Sequence, residues 1–294
     1  MILLTPQNRW RRWLGICFGV LLFGLWRYAH HVEFRISDDE IKSLITEYTD
    51  TARIFRYQMD DRNIRFAEFG AADSLPVTIM VHGSPSSMNF FRSFYTDSVL
   101  LSKTMLVGVD RPGYGYSDFG KAVTSINEQA RLLQPIIDKY AKEKRRVYLV
   151  ASSYGGSVAA RLAMKNPNKV RGLLFISSSF APGQEYTYPV ISDMLDSQWF
   201  RWFFPKVLRV ANDEKLSHES ALKEIQDGWQ NIKARVILMH GRADGLIYYS
   251  NAEYARSKLK NARFLKLISL DGLGHSILDD RPDLVAENIL ELIR

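Results

Sequence analysis

Three residues of this chain could together attack a carbonyl carbon: Ser153, His275 and Asp244. A serine hydroxyl is a weak nucleophile until a base takes its proton, and the base needs a third group to orient it. Ser153 lies in Ala151-Ser152-Ser153-Tyr154-Gly155-Gly156. An apolar run, Val147 to Val150, precedes this stretch. A helical pattern of Val158, Ala159, Leu162 and Ala163 follows, and Asn166-Pro167 stops it. A strand, a sharp turn and a helix with serine at the apex need small flanking residues, because the two backbones nearly touch. Choosing Ser152 would place Tyr154 at a position that must be small, and Ser157 already lies inside the helix. Ser153 is therefore the expected nucleophile, with Ala151 at a position where glycine is usual.

His275 is the expected base, in the glycine-flanked loop Asp271-Gly272-Leu273-Gly274-His275 after the last strand. Asp244 is the expected orienter, in a loop after the preceding strand. A tetrahedral intermediate also needs backbone N–H donors aimed at its oxyanion. Tyr154, just after the nucleophile, supplies one, and Ser84 of His82-Gly83-Ser84-Pro85 is placed to supply the other. Among the rivals, Asp110 reads as part of a tight turn. Asp271, Asp279 and Asp280 are too near His275 in sequence to come from another strand end. His240 reads as packing at its strand terminus, and His218 lies in an insertion. No histidines have metal-ligand spacing, and this chemistry calls for no cofactor.

The elements that must position these groups alternate. Strands are expected at 52–58, 64–69, 77–81, 105–109, 147–151, 170–176, 235–239 and 264–268, with helices between most of them. Asp60 to Asn63 should turn the first hairpin. This pattern predicts an α/β fold with a mainly parallel sheet covered on both faces. Ligands then gather outside the carboxyl ends of the strands, where His82, Ser153, Asp244 and His275 all fall. Residues 180–233 interrupt the alternation and read as a few short helices rich in aromatics. Some of the rings at Trp199, Phe200, Trp202, Phe203 and Phe204 should pack this segment onto the domain. The others should line an apolar acyl pocket or face a membrane.

The single cysteine, Cys17, excludes an intrachain disulfide framework. Net charge is +7, of which the five arginines and one glutamate of the first 35 residues carry +4. The remainder holds no basic stripe, so a nucleic-acid partner is not expected. Trp13 to Trp26, WLGICFGVLLFGLW, has no charge. As a helix it spans about 21 Å, against roughly 30 Å of hydrocarbon. Flanking arginines can snorkel and the tryptophans suit the interface. Arg27-Tyr28-Ala29 is not a small-x-small cleavage site, so an uncleaved signal anchor is expected. Arginines dominate its leading flank, so the N-terminus should stay cytoplasmic and the catalytic domain should be exported. Ser37 to Glu40 forms a capping box that opens a connecting helix.

The chain resembles the α/β-hydrolases, in the broad group of epoxide hydrolases, haloalkane dehalogenases, C–C bond hydrolases and esterases. His82-Gly83-Ser84-Pro85 resembles the group's HGxP loop, and Asp110 to Ser117 its D-x-P-G-x-G-x-S segment. Ser153, Asp244 and His275 match its triad positions in chain order. The uncharged run and the capping box place an anchor at 1–35 and a connecting helix at 36–51, and the resemblance covers roughly residues 52–294. It implies a core at 52–179 and 234–294, with a helical cap at 180–233. A serine nucleophile argues against epoxide hydrolases and dehalogenases, which carry aspartate there. The expected function is a membrane-anchored serine hydrolase that cleaves a carboxylic ester, a small and lipid-like molecule. C–C bond hydrolysis, amide hydrolysis and acyl transfer are alternatives on the same triad. A non-catalytic binding protein on this scaffold is a further one, disfavoured by the intact triad.

Overall fold

The computed structural model of the protein describes residues 17, 19–21, 24, 34–48, 52–70 and 74–294. Eight strands form one sheet in the order β1-β2-β4-β3-β5-β6-β7-β8. They are β1 (Ala52–Met59), β2 (Arg62–Phe69), β3 (Val77–Val81), β4 (Met105–Val109), β5 (Val147–Ser152), β6 (Val170–Ile176), β7 (Arg235–Gly241) and β8 (Phe264–Leu270). Strands β3 to β8 run parallel, while β2 is antiparallel to both β1 and β4. Every residue of β3, β4 and β5 is buried, as continuous apolar strands covered on both faces must be. The first hairpin is tighter than expected. Met59 pairs with Arg62, so only Asp60-Asp61 turn, with Asp60 at φ 55°. Aspartate tolerates that left-handed backbone better than most residues.

The helices are α1 (Asp38–Tyr48), α2 (Ser98–Leu101), α3 (Ile126–Lys142), α4 (Tyr154–Lys165), α5 (Pro189–Asp196), α6 (Lys206–Glu224), α7 (Ser250–Lys258), α8 (Ile277–Asp280) and α9 (Pro282–Ile293). The expected capping box begins α1. Ser37 N–H donates to Glu40 Oε2 at 2.6 Å, and Glu40 N–H donates to Ser37 Oγ at 3.2 Å. Helices α3, α4 and α7 bury their apolar stripes on one face of the sheet. Helices α1, α2, α8 and α9 cover the other. After the His82 loop the chain forms a 3-10 helix, Met88–Phe94, with Phe91 and Phe94 buried.

Between β6 and β7 the sequence reading of short helices needs correction, because α6 runs for 19 residues. Its polar middle has partners that the sequence does not display. Asn212 bonds Ser192 at 2.5 Å, Asp213 bonds Arg201 at 2.6 Å, and buried Glu214 bonds Arg111 at 2.6 Å. Of the aromatic cluster, Phe204 lines a cavity, as expected of part of it, but the packing expected of others is absent among the remaining four. Trp199, Phe200, Trp202 and Phe203 are exposed, Trp199 at 82%, rather than packed onto the domain. The two ends of the insertion are held instead by Phe180 against Trp229, whose ring centroids are 5.2 Å apart.

The Trp13 to Trp26 segment lies outside the described residues except for Cys17, Gly19, Val20, Leu21 and Gly24, which are helical. Among the described residues no helix is long and apolar enough to cross a membrane.

Candidate active site

The turn between β5 and α4 places Ser153 at φ 53° and ψ −127°. Such a conformation is costly for a residue with a Cβ and persists only where its surroundings hold it. Here Ser153 N–H donates to Ile176 O at 3.0 Å, while Ser153 O accepts from Gly156 and Ser179. Gly155 must be glycine, since a Cβ there would lie 2.4 Å from the carbonyl oxygens of Val81 and His82. Ser152 is buried in the strand, whereas Ser153 borders a cavity of about 390 Å³. Ser84, Tyr154 and His275 border the same cavity.

His275 and Asp244 come from adjacent loops at the ends of β8 and β7. The backbone of residues 273–274 passes so close over Gly241 that a Cβ there would meet Leu273 O at 2.3 Å. Ala243 N–H donates to Leu273 O at 3.0 Å, which ties the two loops together. His275 Nδ1 then lies 2.8 Å from Asp244 Oδ2. Asp244 Oδ1 accepts from the N–H groups of Leu246 and Ile247, both at 2.9 Å. Burial works to raise the Asp244 pKa. Hydrogen bonds from His240 and His275 outweigh it and hold the carboxyl well below the usual carboxylate range. With Nδ1 engaged by Asp244, His275 has Nε2 left for a proton taken from a hydroxyl.

His240 does more than pack at its strand end. Its Nε2 lies 2.9 Å from Ile247 O and 3.5 Å from Asp244 Oδ2, so it braces the aspartate and its loop. The i, i+4 spacing of His240 and Asp244 across a strand end was the available signal. His82 makes no contribution to the cavity wall. Its Nδ1 faces Gly83 O at 2.7 Å and its Nε2 accepts from Arg111 N–H at 3.0 Å. This fixes the neutral tautomer and ties the Ser84 loop to the Arg111 turn.

Arg111 reinforces that tie. Its guanidinium donates to His82 O and Gly83 O, at 2.8 and 2.9 Å, and pairs with Glu214 of α6. Both partners are fully buried, and Tyr114 Oη bridges Glu214 Oε2 to Ser84 Oγ at 2.6 Å each. Losing one partner of a pair so buried strands the other charge, which costs about 3–5 kcal/mol. The network therefore locks α6 over the loop expected to hold an oxyanion. Asp110 is structural, as expected of a tight turn. It is buried against Arg65 and accepts from Met88 and Tyr116 N–H groups at 3.0 and 2.9 Å.

His218 is not remote in the insertion. It reaches the cavity and packs against Tyr154, with ring centroids 4.4 Å apart and planes tilted by 32°. Burial pushes its pKa down to about 3, so it is neutral at ordinary pH. Among the described residues no cluster of His, Cys, Asp and Glu could hold a metal ion.

The alpha/beta hydrolase family model matches residues 78–288. The chain belongs to the α/β-hydrolase family. Similar proteins include the pimeloyl-[acyl-carrier protein] methyl ester esterase of Proteus mirabilis, 38% identical over 34% of this chain and 36% of that one. Monoacylglycerol lipase abhd6-B of Xenopus laevis is 24% identical over 72% of this chain and 74% of its own. The solved monoacylglycerol lipase of Paleococcus ferrophilus has the same fold, with a TM-score of 0.62 at 19% identity, covering 78% of this chain and 98% of that one. The chain spans only 29–41% of the first four curated relatives that it matches. This α/β-hydrolase thus has a mainly parallel sheet whose strand ends bring Ser153, Asp244 and His275 to one side.

Proposed function

We propose that this protein is a membrane-anchored serine hydrolase of carboxylic esters with an apolar acyl group. The observation that carries the reading is the shared cavity: Ser153 on its strained turn and His275, paired with Asp244, border the same space. Ser153 Oγ attacks the ester carbonyl while His275 Nε2 takes its proton. The N–H groups of Ser84 and Tyr154 receive the oxyanion, and Asp244 holds the imidazole. The tetrahedral intermediate collapses, and His275 returns the proton to the departing alcohol. Water, activated by the same histidine, then releases the acid from the acyl-enzyme. Residues 180–233 act as a cap over this centre, and its Ile191, Leu195, Phe204 and Leu208 give the cavity an apolar wall. The names of the esterase and lipase relatives point the same way.

An ester series of increasing acyl length, assayed on the full chain in detergent, tests the substrate. Each methylene buried contributes roughly 0.8 kcal/mol, about a fourfold change in binding. We expect kcat/KM to rise with acyl length until the wall is covered, then fall. A profile best for acetyl and declining at once would refute an apolar acyl site, and turnover of diketones alone would make this a C–C bond hydrolase.

The uncharged Trp13 to Trp26 run with its arginine-rich leading flank supports a single-pass anchor, N-terminus cytoplasmic and catalytic domain exported. The exposed Trp199, Phe200, Trp202 and Phe203 give the cap an apolar surface that a nearby bilayer would cover. In sealed inside-out vesicles the domain is expected to resist added protease. Digestion in those vesicles, or extraction by carbonate, would contradict the placement.

A further inference from the structure

The wall of the cavity is not uniformly apolar, and its polarity has a direction. Leu208, Ala211, Lys215 and His218 of α6 all border it, at spacings that put them on one helical face. From Leu208 to His218 that face changes from apolar to charged over about 15 Å. The polar end is the one beside the catalytic turn. His218 packs against Tyr154, the residue after Ser153, and Ser179 N–H donates to Ser153 O at 3.2 Å. Ser179 Oγ lies 2.9 Å from His218 Nε2 and 3.5 Å from Glu185 Oε2, and Glu185 Oε1 pairs with Lys215 Nζ at 3.0 Å.

This cluster is built rather than loose. Glu185 bridges to Ile247, and Tyr186 N–H donates to Leu246 O at 2.7 Å, which fastens its segment to the loop of Asp244. Glu185 is 11% exposed, and burial raises its pKa despite Lys215 beside it. An ion pair in so sheltered a place is weak support for stability, because desolvation offsets its attraction. Two polar atoms on these rings, His218 Nδ1 and Tyr154 Oη, have no hydrogen-bond partner among the described residues. Both atoms are buried, so the polar groups that the cluster offers the cavity are those of Glu185 and Lys215.

We propose that Glu185 and Lys215 form a head-group subsite that binds an uncharged, hydroxyl-bearing alcohol, such as a glyceryl group, on the leaving side of the ester. The charges of the pair decide the chemistry. A phosphate would meet the Glu185 carboxylate, and a cation would meet Lys215. A hydroxyl can accept from Nζ and donate to the carboxylate at once. His218, neutral at ordinary pH, adds no charge that would favour an anion. The ester carbonyl then sits at Ser153, its chain runs toward Leu208 and Phe204, and its compact polar alcohol lies against Glu185 and Lys215. This inference rests on the ester-hydrolase reading.

The test compares three esters of one acyl chain, methyl, 1-glyceryl and glycerophosphoryl, on the full chain in detergent. The unaltered protein is expected to favour the glyceryl over the methyl ester by about tenfold in kcat/KM, the size of one charge-assisted hydrogen bond, and mainly through KM. Glu185→Gln and Lys215→Met should each erase most of that ratio, and Lys215→Arg should keep part of it. A variant that slows all three esters equally would make the pair a structural brace and overturn the subsite. So would an unaltered protein that ignores the glyceryl group, and preference for the glycerophosphoryl ester would replace it with an anion site. Fluorophosphonate labelling of the unaltered protein separates the two readings. Labelling at Ser153 without glyceryl preference sinks only the subsite, whereas no labelling and no ester turnover sink the hydrolase reading and the subsite with it.

Discussion

Ser153→Ala is expected to lower ester turnover by about four to six powers of ten while leaving the protein folded. Loss of the nucleophile from a triad costs on that order, because the remaining members act only through it. The fold should tolerate the change, since alanine keeps the Cβ and removes only Oγ. The backbone ties that hold φ at 53°, from Ser153 N–H to Ile176 and from Gly156 and Ser179 to Ser153 O, do not involve the hydroxyl. A fluorophosphonate probe should label the unaltered protein and not this variant. Ser152→Ala is the control: that side chain lies in the buried strand, and its loss should change turnover by well under the same amount. Equal labelling of Ser153→Ala would remove Ser153 from the mechanism and reopen the choice among the serines.

The strands were readable because burial on both faces writes continuous apolar runs, as at Val77 to Val81 and Met105 to Val109. The turn at Ser153 was readable because close backbone approach admits only small residues, and Gly155 lies against two carbonyl oxygens. What the sequence did not display is contact between distant polar residues. Glu214 looks like one more charged position on an exposed helix. Its partner Arg111 is 103 residues away, and only the fold brings them to 2.6 Å. His240 and His218 are isolated histidines in the sequence, each more readily taken for packing than for a role. His218 acts through residues that the chain order hides, Ser179 and Tyr154, whereas His240 stands only four residues from the Asp244 it braces. The exposed rings from Trp199 to Phe203 show the converse. Apolar composition suggests burial, but nothing in the sequence says which apolar residues a domain leaves outside.

Asp244→Ala is expected to lower turnover by about four powers of ten, the scale of losing the group that holds a catalytic histidine in its working tautomer. The loss should fall on kcat more than on KM, since Asp244 is buried behind His275 and touches no substrate. His240→Phe should cost far less, roughly tenfold, because it removes a brace and not the acid itself. The two effects should not add. In the Asp244→Ala background His240→Phe should change turnover little, because the brace then has nothing to hold. The pH response has a definite sign. The Asp244 carboxyl lies well below its ordinary value of 3.8, as hydrogen bonds from His240 and His275 overcome the burial that would raise it. A carboxylate lowered on folding adds stability above its unfolded value, and this is lost as pH falls from about 3.8 through the folded value. Asp244 thus stays ionised through the working range, and any acid loss of activity above pH 4 belongs to another group. Near-native turnover by a folded Asp244→Ala would remove Asp244 from the mechanism, and Asp110 could not replace it, because both its oxygens are engaged at the end of β4, five strands from β8.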